Sequence, residues 1–184
     1  MSADLHDPGG KVRLALMPGV NGDATFSADG RYRQLMRRWL GPTFPERYVL
    51  FIGMNPSTAD GTVNDPTCAR EWTFAQREGF DAMIKANVGD YRATHPKMLL
   101  EPGVEASSPA NLPAIRKAAA GAGLVVLCHG KLNKALAPAG RALIEALRAD
   151  GVALWCFGTN GDGSPKHPLY LRGDTPLIRY PPLP

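Results

Sequence analysis

The chain has no run of about 18 apolar residues, the length a membrane-spanning helix needs. Its first ten residues carry Asp4, His6 and Asp7 where a secretory leader would be apolar. Neither a membrane association nor an export leader is therefore expected. Cysteine is scarce: Cys68, Cys128 and Cys156 are odd in number and widely spaced. That fits a reduced, cytoplasmic protein better than a disulfide framework. Cys128, His129, Cys156 and His167 are of zinc-ligand type, but no CxxC or HxxxH spacing pairs them, so no metal is expected. Walker A, G-x-G-x-x-G and G-x-S-x-G are all missing, which disfavours nucleotide hydrolases, Rossmann dehydrogenases and α/β-hydrolases, and no cofactor is expected. Aromatics are only 8% of residues, so the core must lean on Leu, Val, Ile and Ala.

What is present is ordinary for a globular protein: 184 residues, 44% hydrophobic and 21% charged. That length suits a single domain spanning 1–184, able to bury roughly 70% of its unfolded surface without staples. A net charge of +4 permits an anionic partner without demanding one. The densest basic cluster, Arg31, Arg33, Arg37 and Arg38, reads as a solvated face. The 20 glycines and 17 prolines are the unusual feature: much of the backbone is shaped loop, where sites tend to lie.

Residues 1–10 read as a flexible arm and 11–40 as a small N-terminal extension of antiparallel character: a strand over Lys11–Met17, turns over Pro18–Asp23 and at Ser27–Gly30, and an element over Gln34–Leu40 that fits helix or strand. The α/β core is expected over 47–180. Arg47–Gly53 contains the continuous apolar run Val49–Ile52, the mark of a strand buried on both faces. Asp65-Pro66 opens a helix as N-cap and first helical residue, and Gly79 closes it. Strands follow at Phe80–Val88, Leu124–Cys128 and Val152–Phe157, with helices at Asn111–Ala122 and Lys134–Ala149. The alternation predicts a three-layer α/β/α domain with a mainly parallel central sheet.

In such sheets ligands bind beyond the carboxyl ends of the strands. Four loops stand there: Met54–Asn64, Gly89–Pro96, His129–Asn133 and Gly158–Leu171. In the first, Gly53 permits close approach, Pro56 stiffens the loop, Asn55 offers donors and an acceptor, Ser57 and Thr58 add hydroxyls, and Asp60 adds a carboxylate. Asn87 ends the second strand, and Tyr91 with Arg92 suits phosphate or a planar anion. His129 is a candidate base or metal ligand, and Lys166 with His167 could steady a developing anion.

The string Ser27…Asp29-Gly30-Arg31-Tyr32-Arg33…Arg37-Arg38-Trp39, with Asn55-Pro56-Ser57-Thr58-Ala59-Asp60, Asp65-Pro66-Thr67, Asn87…Tyr91-Arg92-Ala93-Thr94 and Lys166-His167-Pro168-Leu169-Tyr170, resembles the bacterial and phage family called domain of unknown function 1643. The strand followed by Gly53-Met54-Asn55-Pro56 also resembles the first motif of the uracil-DNA glycosylase superfamily, above all its mismatch-specific uracil/thymine type, and His167-Pro168 resembles the second. Ser57 stands where that subfamily has Gly, and Leu169 follows His-Pro where a Ser is usual.

This second resemblance implies a glycosylase-like fold and a nucleobase-directed activity. Asn55 would orient water and His167 would stabilise the leaving base. Asp60, which has no counterpart in that superfamily, is the further catalytic candidate from the loop's own residues. Gly53, Pro56, Ser57, Thr58, Asn87, Tyr91, Arg92, His129 and Lys166, on or beside the strand-end loops, are the expected substrate-binding residues. DNA or a nucleotide is the expected partner, with no obligate protein partner. Two other readings remain open: a non-catalytic nucleic-acid or nucleotide binding module, and an enzyme acting on a small phosphorylated metabolite.

Overall fold

A computed structural model describes residues 12–181, so the arm expected over 1–10 lies outside the described residues. The elements in chain order are β1 (Leu14–Ala15), β2 (Val20–Phe26), β3 (Arg33–Leu40), β4 (Val49–Gly53), β5 (Val63–Asn64), α1 (Pro66–Arg77), β6 (Ala82–Asn87), α2 (Asn111–Ala120), β7 (Leu124–Leu127), α3 (Ala137–Ala149), β8 (Leu154–Cys156) and β9 (Ile178–Arg179). Seven strands form one sheet in the order β2-β3-β6-β4-β7-β8-β9, and β1 pairs with β5 in a separate ribbon. Among the described residues no helix is long and apolar enough to cross a membrane.

The expected three-layer α/β/α, glycosylase-like domain with a mainly parallel sheet is not what forms. The sheet is mixed: β6, β4, β7 and β8 run parallel, while β2–β3, β3–β6 and β8–β9 pair antiparallel. Three α-helices accompany it among the described residues. The physical reason lies at the two edges. The segment expected as an N-terminal extension supplies a hairpin, β2–β3, that docks on β6. Val20–Phe26 (VNGDATF) is rich in turn formers and was expected to begin as a turn, yet it pairs along its whole length with β3. A polar strand of that kind is tolerated at an edge, where one side faces solvent. Gln34–Leu40, open between helix and strand, belongs to β3.

Alternation along the central strands sorts the core into two faces. Leu50, Ile52, Ile84, Ala86, Val125 and Leu127 pack with Ile115 and Ala118 of α2 and Leu143, Ile144 and Leu147 of α3. Val49, Phe51, Met83 and Val126 pack with Trp72, Phe74 and Ala75 of α1. Each such large side chain contributes about 1.5–3 kcal/mol on burial. Gly53, Lys85, Asn87 and Cys128 continue the α1 face by the same period of two. Polar groups are therefore carried into the interior at its carboxyl end.

Helix α1 starts as expected: Asp65 is its N-cap, accepting from Cys68 N at 2.8 Å, Pro66 is in its first turn, and Gly79 follows with φ +75°. The basic cluster does not form a solvated face. Arg31 and Arg37 are exposed or half-exposed and pair with Asp29 and Asp23, but Arg33 and Arg38 are buried. Arg38 donates to Asn64 Oδ1 at 2.9 Å and to the carbonyls of Asp60 (2.5 Å) and Val63 (2.8 Å). The Met54–Asn64 loop folds over that side of β3, so alternate arginines face either water or this cover.

Candidate functional site

A cleft of about 500 Å³ opens at the carboxyl ends of β4 and β6, beside the N-terminus of α1. That volume is within the ~300–1,000 Å³ usual for small-molecule sites. Of the expected site residues, Gly53, Asn55, Ser57, Thr58, Asn87 and His167 line it. Arg33, Asp65, Cys68, Lys85, Thr94, Leu169 and Tyr170 also line it and were not singled out as site residues. Pro56, Asp60, Tyr91, Arg92, His129 and Lys166 do not.

The floor is set by the strand register. Gly53 is opposite Asn87, and Phe51 is opposite Lys85. Lys85 and Asn87 both lie against Gly53: a Cβ there would be 2.5 Å from Lys85 Nζ and 2.8 Å from Asn87 Oδ1. Only glycine leaves them that space. Lys85, 4% exposed, forms an ion pair with Glu71 of α1, and Cys128 Sγ donates to the same carboxylate at 3.3 Å. Burial on its own would lower the Lys85 pKa, but the Glu71 carboxylate outweighs it and holds the ammonium charged. Burial pushes Glu71 upward, and Lys85 and Cys128 pull it back in part. Burial also pushes the thiols of Cys68 and Cys128 well up, so neither is a ready nucleophile.

Asn87 is 1% exposed, and neither its Nδ2 nor its Oδ1 has a hydrogen-bond partner among the described residues. A buried amide with both ends unpaired costs stability unless a ligand or water takes them up. Arg33, also 1% exposed, donates to the Ala59 carbonyl, while its Nε has no partner.

The loops over the floor are tied to one another. Asn55 Nδ2 donates to the carbonyls of Ala93 (2.8 Å) and Pro56 (3.0 Å), and Ala93 N donates to Pro56 O at 2.9 Å. Thr58 Oγ1 donates to Val12 O at 3.3 Å. His167 Nδ1 accepts from Leu169 N at 3.4 Å, which puts the proton of the neutral ring on Nε2. Burial, reinforced by the charge of Lys85, lowers the pKa of His167 to about 4, so the ring is neutral near pH 7.

Most of the expected residues outside the cleft have other partners. Asp60 Oδ1 accepts from Thr62 N (2.7 Å), Thr62 Oγ1 (2.9 Å) and Val63 N (3.0 Å), closing a turn. Asp65 is the carboxylate in the cleft. Arg92 donates to Gly30 O at 3.0 Å and lies over Phe26, and Tyr91 meets Tyr32 edge-on at 5.5 Å, so this pair docks on the hairpin. His129 Nδ1 faces Gly130 O at 2.7 Å, and burial lowers its pKa to about 4. It lines a neighbouring hollow with Lys131 and Asp162. Lys166 is exposed. Among the described residues no group of three or more His, Cys, Asp or Glu is set to hold a metal ion.

Lys85 had a signal in the sequence. A cation inside the otherwise apolar strand Ala82–Asn87 must find a buried counter-charge, and Glu71 in the preceding helix supplies it.

Residues 31–169 match the family described as protein of unknown function (DUF1643), and the chain belongs to that family. The matched stretch carries every buried polar group of the cleft. No curated protein and no solved structure matches the chain.

Proposed function

We propose that this DUF1643 protein is a nucleobase-directed enzyme that cleaves an N-glycosidic bond in the cleft above Gly53. The observation that carries the reading is the Asn87 amide, buried at the cleft floor with both donor and acceptor unspent. A nucleobase edge presents a carbonyl beside an N–H, and one amide side chain pairs with both. The likeness of Gly53–Pro56 and His167-Pro168 to the glycosylase motifs adds support, since both pieces contribute to one cleft.

The chemistry follows from the hydrogen bonds. The C1′–N bond breaks and its electron pair leaves on the base. His167, neutral and protonated on Nε2, donates to the departing base without having to titrate near pH 7. Asn55 has committed its Nδ2 to Ala93 and Pro56, which leaves Oδ1 to accept from a water that adds to C1′. Asp65 spends Oδ1 on the helix cap and keeps a second oxygen to take that water's proton. The proton taken up by Asp65 is given up to the base anion through solvent, so the products are the neutral free base, a sugar hydroxyl and the regenerated carboxylate. Asp60, which closes its own turn, has no part in this scheme.

The test is free-base release followed by mass spectrometry, from oligonucleotides and nucleotides carrying uracil, thymine and modified pyrimidines. Asp65→Asn is the control of choice, because Asn caps a helix as well as Asp does and only the charge is lost. Release by the parent protein, lost in Asp65→Asn and in Asn55→Ala, supports the reading. Absence of release from every substrate contradicts it.

A further inference from the structure

We infer that the cleft takes a substrate with a terminal phosphate seated on Arg33, so that the ligand is a free nucleoside monophosphate and not a residue within a nucleic-acid strand. The inference rests on the nucleobase reading above and narrows its substrate class.

Its starting point is a strand irregularity. In the β2–β3 ladder Thr25 pairs with Leu35, but the next residue, Phe26, pairs with Arg33, leaving Gln34 as the extra residue of a β-bulge. In a regular ladder Arg33 would share a face with Leu35 and Arg37. The bulge reverses its parity and turns it to the face of Met36, against α1 and the cleft. A bulge that swings a guanidinium from one face of a sheet into a cavity is costly unless the cavity uses it.

The charges there do not cancel at Arg33. Lys85 is neutralised by Glu71, and Asp65, the carboxylate lining the cleft, accepts from the α1 backbone. Among the described residues Arg33 has no carboxylate within ion-pair distance, only the Ala59 carbonyl, and its Nε is unpaired. A buried guanidinium without a counter-charge is expensive, and its planar array of donors matches a phosphate oxygen pair. The first turn of α1, Pro66 to Cys68, lines the same cleft and adds the positive end of its dipole.

Depth selects the kind of anion. Arg33 and Lys85 are almost wholly covered, while the rim holds Tyr170, 90% exposed. A phosphodiester continues as a chain in both directions and cannot be threaded past a covered guanidinium. A phosphate monoester ends there. With Asn87 taking the base edge and Arg33 the phosphate, both ends of a nucleoside monophosphate are held within about 500 Å³.

The experiment is equilibrium binding by calorimetry, using deoxynucleosides, their 5′-monophosphates, 2-deoxyribose 5-phosphate and single-stranded oligonucleotides of mixed sequence. At least one monophosphate should bind about ten- to a hundredfold more tightly than its nucleoside, the gain expected of a charge-assisted contact. Arg33→Gln should erase that gain, so that monophosphate and nucleoside bind the variant equally. Arg33→Lys, which keeps the charge without the fork, should keep part of it. Equal affinity of nucleoside and monophosphate in the parent protein overturns the inference whatever the variants do, and so does tighter binding of the oligonucleotide. In both cases nucleoside binding leaves the nucleobase reading standing. Deoxyribose 5-phosphate binding as tightly as every monophosphate would keep the role of Arg33 and sink the nucleobase reading. Binding of none of these probes would overturn both.

Discussion

Asn87 stands directly opposite Gly53 in the parallel register of β4 and β6, and a Cβ at position 53 would lie 2.8 Å from its Oδ1. The glycine of the Gly53–Pro56 loop is therefore a spatial requirement of the neighbouring strand. It leaves room for an amide and an ammonium group that have nowhere else to go.

Gly53→Ala should displace the Lys85 ammonium, which a Cβ would approach to 2.5 Å, and so disturb its pairing with Glu71. Overpacking of this kind costs about 1–3 kcal/mol. Denaturant titration of the single and double variants checks it: Gly53→Ala should cost less in a Lys85→Met background, because the displaced group is gone.

Breaking the buried ion pair from one side leaves a lone charge in the core. Glu71→Ala or Lys85→Ala should each destabilise by about 3–5 kcal/mol. The joint replacement Glu71→Leu with Lys85→Met should cost less than either. A simple sum of the two single costs, read from urea midpoints, would show that the pair is not coupled as described.

Asn87→Ala should separate stability from binding. The amide has no hydrogen-bond partner among the described residues, so its loss should not destabilise the fold by more than about 1 kcal/mol. Ligand affinity or turnover should fall at least tenfold, about the worth of one hydrogen-bonded contact. A loss of stability well beyond that, with affinity unchanged in the folded fraction, would mean the amide serves the fold.

Acid should weaken the fold through its two covered histidines. Burial lowers His129 and His167 from 6.5 to about 4, so the unfolded chain takes up protons first. Their contribution is complete above pH 6.5 and is lost as pH falls toward 4. His129→Gln should show a smaller loss than the parent across that window in denaturation measured at stepped pH.

Much of the central sheet can be read from the residues. Val49–Ile52 announces a doubly buried strand, and Asp65-Pro66 announces the start of α1; both lie where expected. The edges could not be read the same way. Val20–Phe26 has the composition of a turn and becomes a strand because β3 is available to pair with it. That tertiary pairing, with β9 at the opposite edge, makes the sheet mixed. The site was half legible. Loops after strands drew attention to Asn55, Asn87 and His167, which do share a cleft. Arg33 was hidden among exposed-looking arginines because a single extra residue in β3 reverses its direction, and no local pattern encodes that bulge. Arg92 reads in the sequence as an anion ligand; in the fold it lies outside the cleft and donates to Gly30 O in the hairpin turn.

The most direct test of the account is base release from a panel of nucleoside monophosphates and base-modified oligonucleotides by the purified protein, read by mass spectrometry beside Asp65→Asn. The account predicts a free base from at least one substrate with the parent protein and none with the folded variant. No base from any substrate, or equal release by both proteins, would contradict it.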